Sequence, residues 1–504
     1  MTIEQWVKEL EYTLLQGRLD TKVNDLVYDS RKAKKDSVFV CISGSVSDGH
    51  TYIEDVIAKG ASVIVVEKEV QPVPGVTYLK VPDSRLALAQ LSAAYFDYPA
   101  RKLKTIGITG TKGKTTTTYM VRSILEAAGI KTGLIGTIES IIGEEHIPSA
   151  NTTPESYRVQ ELFAKMVDSG MDAVVMEVSS QALMLHRVSG FVFDIGVFTN
   201  LEPDHIGTNE HKDFEDYMHC KSLLFQQCRL GIVNGDDAHL EGILKDHTCE
   251  VETFGYGAGL DYVATEVAFS SQKGELFVDY RLQGKHSFDV KVNVPGSFSV
   301  YNSLTAIAIC SQFGVPMEKM QEALCHTHVK GRIEMVPMNK GYTLMIDYAH
   351  NAMSLESLLT TLLEYKPNRL ICMFGCGGNR AKSRRYEMGE VSSRLADLTV
   401  VTSDNPRDEE PMAIIEDILV GVQKAGGEYV TIPDRKEAIR YCMEHAKEGD
   451  IVVLAGKGHE DYQEIHGVKY PMDERVIIQE IKKEMDCEMR GLKWQNSGGN
   501  RGIS

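Results

Sequence analysis

Short apolar runs alternate with helix-periodic stretches along this chain, and most of the runs stop abruptly at polar or glycine residues. Leu103, Ile106 and Ile108 read as the end of one buried strand, and Tyr119, Met120, Ile124 and Leu125 then follow helical spacing up to Gly129. Upstream, Val38-Phe39-Val40-Cys41-Ile42 and Ala61-Ser62-Val63-Ile64-Val65-Val66 predict strands, with a helix around Tyr52 to Lys59 between them. Downstream, Ala173-Val174-Val175-Met176, Ile195-Gly196-Val197-Phe198 and Gly231-Ile232-Val233 each run into a polar cluster. So do Leu344-Met345-Ile346, Leu370-Ile371-Cys372-Met373-Phe374, Leu398-Thr399-Val400-Val401 and Ile451-Val452-Val453-Leu454. Continuous apolar runs separated by helices predict a mostly parallel sheet buried on both faces, with its chemistry at the carboxyl edge. Between 250 and 292 the texture changes. Alternation such as Leu276, Val278 and Tyr280 predicts added antiparallel strands, and Pro295-Gly296 then precedes a helix from Val300 to Cys310.

The pattern predicts an α/β protein of three domains, in line with about 150 residues per domain. Residues 1–99 form a small N-terminal α/β unit. Residues 100–332 form a central domain with a mostly parallel sheet, and residues 333–487 form a second doubly wound, Rossmann-like domain. Residues 488–504 are polar, include Gly498-Gly499 and read as a disordered tail.

Composition narrows the function classes. A net charge of −17 argues against non-specific nucleic-acid binding, although a nucleotide can still occupy a local basic pocket. The chain has no run of about 18 apolar residues, so no membrane insertion is expected. The first residues, Met1-Thr2-Ile3-Glu4-Gln5-Trp6-Val7-Lys8, read as an amphipathic helix start and lack the apolar core of a signal peptide. The 10 cysteines include no Cys-x-x-Cys, which fits reduced thiols in a cytoplasmic protein.

The chemistry centres on Gly110-Thr111-Lys112-Gly113-Lys114-Thr115-Thr116, set between the first strand and its helix. The glycines let backbone N–H groups crowd a phosphate, and the helix N-terminus faces the same anion. Lys114 can reach terminal phosphates, and the Thr115 hydroxyl can hold Mg²⁺. The usual phosphate-loop spacing asks for glycine where this chain has Ile108, so the loop is a variant. Glu177 and His205 stand at strand ends as candidate metal ligands. Lys221, among apolar helix neighbours, reads from spacing alone as a snorkelling surface lysine.

Together these motifs resemble the Mur ligase family, over about residues 20–487. The carriers begin with Asp29-Ser30-Arg31, the phosphate loop, Asn151-Thr152-Thr153-Pro154 and Glu177-Val178-Ser179-Ser180. They continue through Thr199-Asn200, Asp204-His205, Lys221, Asn302, Gly331-Arg332 and Asp347-Tyr348-Ala349-His350. The last are Gly375-Cys376-Gly377-Gly378 with Arg380, Asp404-Asn405-Pro406-Arg407, and Ala455-Gly456-Lys457-Gly458-His459-Glu460. The resemblance implies an ATP- and Mg²⁺-dependent amide ligase that extends UDP-N-acetylmuramoyl-L-alanyl-D-glutamate through an acyl phosphate, in the cytoplasm and as a monomer.

By the same match, the catalytic set is Lys114, Glu177, His205 and Lys221. Thr115, Glu177, His205 and Lys221 serve the metals, the lysine as a carbamate, which reverses the spacing-based reading. ATP falls to the residues from Gly110 to Thr116 together with Asn302, Arg332, Asp347 and His350. The UDP-linked substrate falls to Ser30, Ser45, Thr152, Thr153, Ser179 and Arg187. The chain departs from the family pattern at Lys112, Gln181, Asn351-Ala352-Met353 and Asn379.

The added amino acid is expected to be meso-diaminopimelate. The arginine fork of Arg407 suits a second carboxylate, and Glu460 and Gly456 end another strand where the far ammonium can bind. Arg380 is placed on the near carboxylate, and Asp404, Asn405 and Pro406 complete the motif that the family pairs with this amino acid. The alternatives are L-lysine or another amino acid, a folylpolyglutamate- or cyanophycin-type ligase, or a nucleotide-dependent scaffold descended from a ligase.

Overall fold

The computed structural model describes residues 1–44, 47–204, 206–207, 210–272, 274–327, 329–338 and 340–489. Ser45 and His205 lie outside the described residues, as does most of the expected tail (490–504). Residues up to Met489 close the helix Glu474–Met489. The chain divides into two compact units. The first comprises 1–265, 281–290 and 301–324, and the second comprises 266–280, 291–300 and 325–504.

The first unit contains a five-stranded sheet from the N-terminal region and the strands of the phosphate-loop region. In the N-terminal sheet, Asp25–Val27, Ser37–Val40, Val63–Val66 and Thr77–Lys80 pair in parallel, and Thr13–Gln16 joins antiparallel. The apolar runs are strands because both faces of the sheet are covered: Val38, Val40, Val63 and Val65 enter one buried cluster, and Phe39, Ile64 and Val66 the other.

In the loop region, Lys104–Thr109 lies between Ala173–Glu177 and Phe193–Phe198, parallel to both. The register sets Glu177 beside Ile108 and Phe198 beside Thr109. Three polar strand ends therefore converge on the loop. Strand Glu250–Gly255 corrects the expectation of antiparallel pairing from 250 onward. It pairs in parallel with Cys228–Asn234 and, at Phe254 and Gly255, with Tyr262 and Val263. Tyr262–Gln272, Glu275–Gly284 and Phe288–Val292 are strands, as the alternation predicts.

The second unit holds a six-stranded sheet in which Thr343–Asp347, Ile451–Ala455, Leu370–Phe374, Leu398–Val401 and Tyr429–Thr431 run parallel. Glu334–Val336 pairs antiparallel on the edge. Buried clusters around Leu359 and Ile478 cover the two faces. Asp347, Phe374, Val401 and Ala455 end their strands on the same edge, so the polar turns after them are brought together.

Candidate active site

The phosphate loop keeps its shape through neighbouring strand ends. The Asn200 side chain accepts from Lys112 N at 2.8 Å and donates to Lys112 O at 3.0 Å, and Thr199 Oγ1 donates to the same carbonyl at 2.8 Å. Gly113 caps the helix Lys114–Ala127 with φ +86°, and a Cβ there would lie 2.4 Å from Asn302 Oδ1. Glycine is needed both for the dihedral and for this close approach. Lys114 Nζ donates to Gly110 O and Thr111 O, which holds its ammonium over the loop. Lys112 departs from the family pattern without disturbing this frame, because its ammonium pairs with Glu202 at 2.6 Å.

Beside the loop, Glu177 is almost fully buried. Thr115 Oγ1 lies 3.0 Å from both of its carboxylate oxygens, and Thr137 donates to them through N and Oγ1. Convergent hydroxyl and carboxylate oxygens are hard donors, which fit Mg²⁺.

Lys221 is 1% exposed on the helix Phe214–Ser222, which overturns the snorkelling reading. Its Nζ donates to Gly110 O at 2.9 Å and sits 4.5 Å over the Tyr217 ring. Burial, then the Lys114 charge, depresses its pKa well below the ordinary lysine value. On the neighbouring segment, His211 bridges Ser180 Oγ at 2.8 Å and the Asp216 carboxylate at 3.0 Å. Sequence reasoning did not single this strut out, because a histidine between polar residues carries no local signal.

The residues expected to hold the UDP-linked substrate are ordered by one another. Thr153 donates to Glu177 O and accepts from Ser179 N, Ser179 caps the helix Ser180–Met184, and Thr152 pairs with Thr137. Arg187 donates to Thr153 O and Glu155. Ser30 opens a short 3-10 turn, and the Arg31 guanidinium holds the Asp29 carboxyl down to about 2.

In the second unit, Asp347 is buried and accepts from Ile333 N and Ala349 N. Burial pushes its pKa up against the opposing Arg332 charge. The Arg332 guanidinium lies 5.2 Å from the Tyr348 ring centre, and His350 Nδ1 contacts Tyr348 O. Asn351 departs from the family pattern but caps the helix Ala352–Leu363 in a capping box with Ser354. Asn379 sits at φ +56°, a conformation asparagine tolerates well, and donates to Asp408.

A cavity of about 130 Å³ is lined by His350, Arg380, Asp404, Arg407, Gly456 and Glu460 among others. Arg407 donates from NH1 to Gly378 O at 2.8 Å and from Nε to Glu464 at 3.2 Å. Glu460 Oε2 accepts from Asn405 Nδ2 at 3.0 Å. Sequence reasoning quoted Lys457 in a motif but gave it no role. It is fully buried and binds Asn405 Oδ1, Glu460 and Tyr462 O. Arg435, also missed, is buried and donates to Glu474, Ser403 O and Ala455 O, tying two strand ends together.

Models of three domain families match the chain in order. The Mur ligase family catalytic domain matches residues 22–96, the Mur ligase middle domain 108–310, and the Mur ligase glutamate ligase domain 331–458. A UDP-N-acetylmuramoyl-L-alanyl-D-glutamate--2,6-diaminopimelate ligase 1 from Clostridium acetobutylicum is 43% identical over 488 residues, covering 96% of this chain and 100% of that one. The chain belongs to the Mur ligase family. A diaminopimelate ligase of the same description from Clostridium perfringens is 42% identical, over 95% of this chain and 99% of its own length. A solved structure of a UDP-N-acetylmuramoyl-L-alanyl-D-glutamate--2,6-diaminopimelate ligase superposes with a TM-score of 0.74 at 27% identity, covering 97% of this Mur ligase and 100% of that chain. Among the described residues, no helix of this Mur ligase is long and apolar enough to cross a membrane.

Proposed function

We propose that this Mur ligase is the ATP-dependent amide ligase that adds meso-diaminopimelate to UDP-N-acetylmuramoyl-L-alanyl-D-glutamate, in peptidoglycan precursor synthesis. The observation that carries this reading is identity above 40%, over nearly the whole chain, to proteins named for that ligation. The strand-end cluster of Arg380, Asp404, Arg407 and Glu460 fits an amino acid with two charged ends. The enzyme works in the cytoplasm as a monomer, on small-molecule substrates.

Loop N–H groups and Lys114 bind the ATP phosphates, with Asn302, Arg332, Asp347 and His350 on the nucleotide. Thr115 and Glu177 hold Mg²⁺, and His205 and carbamylated Lys221 serve a second ion. Bound Mg²⁺ neutralises charge on the transferred phosphoryl group. Ser30, Ser45, Thr152, Thr153, Ser179 and Arg187 hold the UDP-linked dipeptide. Its free carboxylate takes the phosphoryl group, and the diaminopimelate amine attacks the acyl phosphate and expels phosphate. The protein supplies position and charge stabilisation.

Phosphate release should require ATP, the UDP-muramoyl dipeptide and an amino acid together, with meso-diaminopimelate the best of a panel. Release without the dipeptide acceptor, or with a folate acceptor in its place, would overturn the assignment.

A further inference from the structure

One cavity of the first unit lies away from the phosphate loop. It has a volume of about 620 Å³, within the range of small-molecule sites. Lys104, Asp172, Asp194 and Arg229 line it. Lys104 begins the strand whose other end feeds the loop, Asp172 precedes the strand ending at Glu177, and Asp194 and Arg229 sit in the first two positions of theirs. The cavity is therefore at the amino edge of the parallel sheet, opposite the edge that carries the ligase residues.

Its chemistry is uneven. Each wall acid already has a partner: Glu9 pairs with Arg101, Asp172 accepts from Lys131 N, and Asp194 accepts from Thr105 and lies 3.5 Å from Lys104 Nζ. Arg229 is exposed and, among the described residues, its guanidinium makes no hydrogen bond or ion pair. Gln160 also lines the cavity. It is 1% exposed, and its buried amide oxygen has no hydrogen-bond partner. A buried acceptor left without a donor is costly, and native structures rarely keep one unexplained. Phe191, Val192 and Tyr98 also line it, with Arg101 stacked 4.0 Å over the Tyr98 ring.

We propose that this cavity is a second ligand site, which takes a small amphipathic anion: a flat apolar body with a carboxylate or phosphate for Arg229 and a hydrogen-bond donor for Gln160. The ligand exchanges no atoms with the protein, and the site is separate from the ligase residues.

Titration calorimetry on the full chain with 2-naphthoate, 6-hydroxy-2-naphthoate and 2-naphthyl phosphate tests this. All three should bind, with the hydroxylated probe tighter than its parent. Gln160→Met should erase that advantage. Arg229→Ala should weaken all three about 10-fold, the loss of one charge-assisted hydrogen bond. Val192→Trp should block the cavity and abolish binding, while ATP-dependent phosphate release stays at the wild-type rate in the Arg229 and Val192 variants. Whichever of the carboxylate and the phosphate binds tighter identifies the natural anion. Binding that a non-hydrolysable ATP analogue displaces, binding unchanged in Arg229→Ala and Val192→Trp, or no binding of any probe would overturn the proposal.

Discussion

A lysine with 1% of its surface exposed and a second ammonium nearby is shifted toward its neutral form, as burial and the Lys114 charge dictate for Lys221. The neutral amine is also the form that adds CO₂, so the environment that depresses the pKa prepares the carbamate. Lys221→Ala should lose most ligase activity, and short carboxylates added to the assay should restore part of it. Full activity of the variant without supplement would remove the carbamate from the mechanism. The same shift has a stability sign. Folded Lys221 releases its proton at lower pH than an unfolded lysine, so the unfolded state binds more protons in between and stability rises with pH through that window. In CO₂-free buffer from about pH 6 to 10, where an unfolded lysine stays largely charged, wild type should gain stability with pH relative to Lys221→Met. Urea midpoints for both proteins at each pH would reveal parallel curves if the shift were absent. Arg407 carries the residue-scale prediction on specificity. Its NH1 and Nε are anchored to Gly378 O and Glu464, which aims the guanidinium into the cavity it lines. L-lysine would offer Arg407 no carboxylate beyond that of Glu464, forgoing a charge-assisted hydrogen bond of about 1.5 to 3 kcal/mol. Wild type should therefore prefer meso-diaminopimelate strongly, and Arg407→Ala should lose most of that preference. Equal rates with both amino acids in wild type would sink the assignment.

At the scale of elements, the amino-acid cluster depends on how closely two strand-end loops approach. A Cβ on Gly378 would lie 1.9 Å from Pro406 O, so any side chain there must push the loop of residues 375–380 off the loop that carries Arg407. Gly378→Ala should raise KM for diaminopimelate about 10-fold or more, equivalent to at least 1.4 kcal/mol, and leave KM for ATP little changed. Steady-state kinetics with each substrate varied in turn would show a uniform loss if the clash merely unfolded the unit. These elements also mark what was legible in the sequence. The strands were, because runs such as Val63–Val66 and Ile451–Ala455 are buried on both faces and carry no polar interruption. The glycine turn between the strand Lys104–Thr109 and the helix Lys114–Ala127 was, because its backbone shape is set by neighbours in sequence. The parallel pairing of Glu250–Gly255 was not, since alternation reports which face is wet and says nothing of strand direction. The roles of Lys457 and Arg435 were not legible either. Each is a cation buried with the help of a partner far along the chain, Asn405 for Lys457 and Glu474 for Arg435.

At the scale of the whole molecule, two units with their own buried clusters imply that a ligand can stabilise one body without repairing the other. Val159, Phe163 and Leu224 belong to a cluster of the first unit, and Leu355, Leu359 and Ile415 to one of the second. The phosphate loop, Glu177, Lys221 and Asn302 all fall in the first unit. Nucleotide binding at the loop should therefore stabilise at least that unit by linkage, about 2.7 kcal/mol at a ligand concentration 100 times Kd. Leu359→Ala removes a fully buried side chain from the second unit and should cost about 2 to 5 kcal/mol there. Differential scanning calorimetry with and without a non-hydrolysable ATP analogue and Mg²⁺ separates the two effects. Leu359→Ala should lower a transition yet keep the nucleotide-induced rise in the other. Lys114→Ala should keep both transitions near their wild-type temperatures and lose the rise. A single transition that moves as one in all three proteins would mean the units unfold together, and a Lys114→Ala protein that still responds fully to nucleotide would take the loop out of ATP binding.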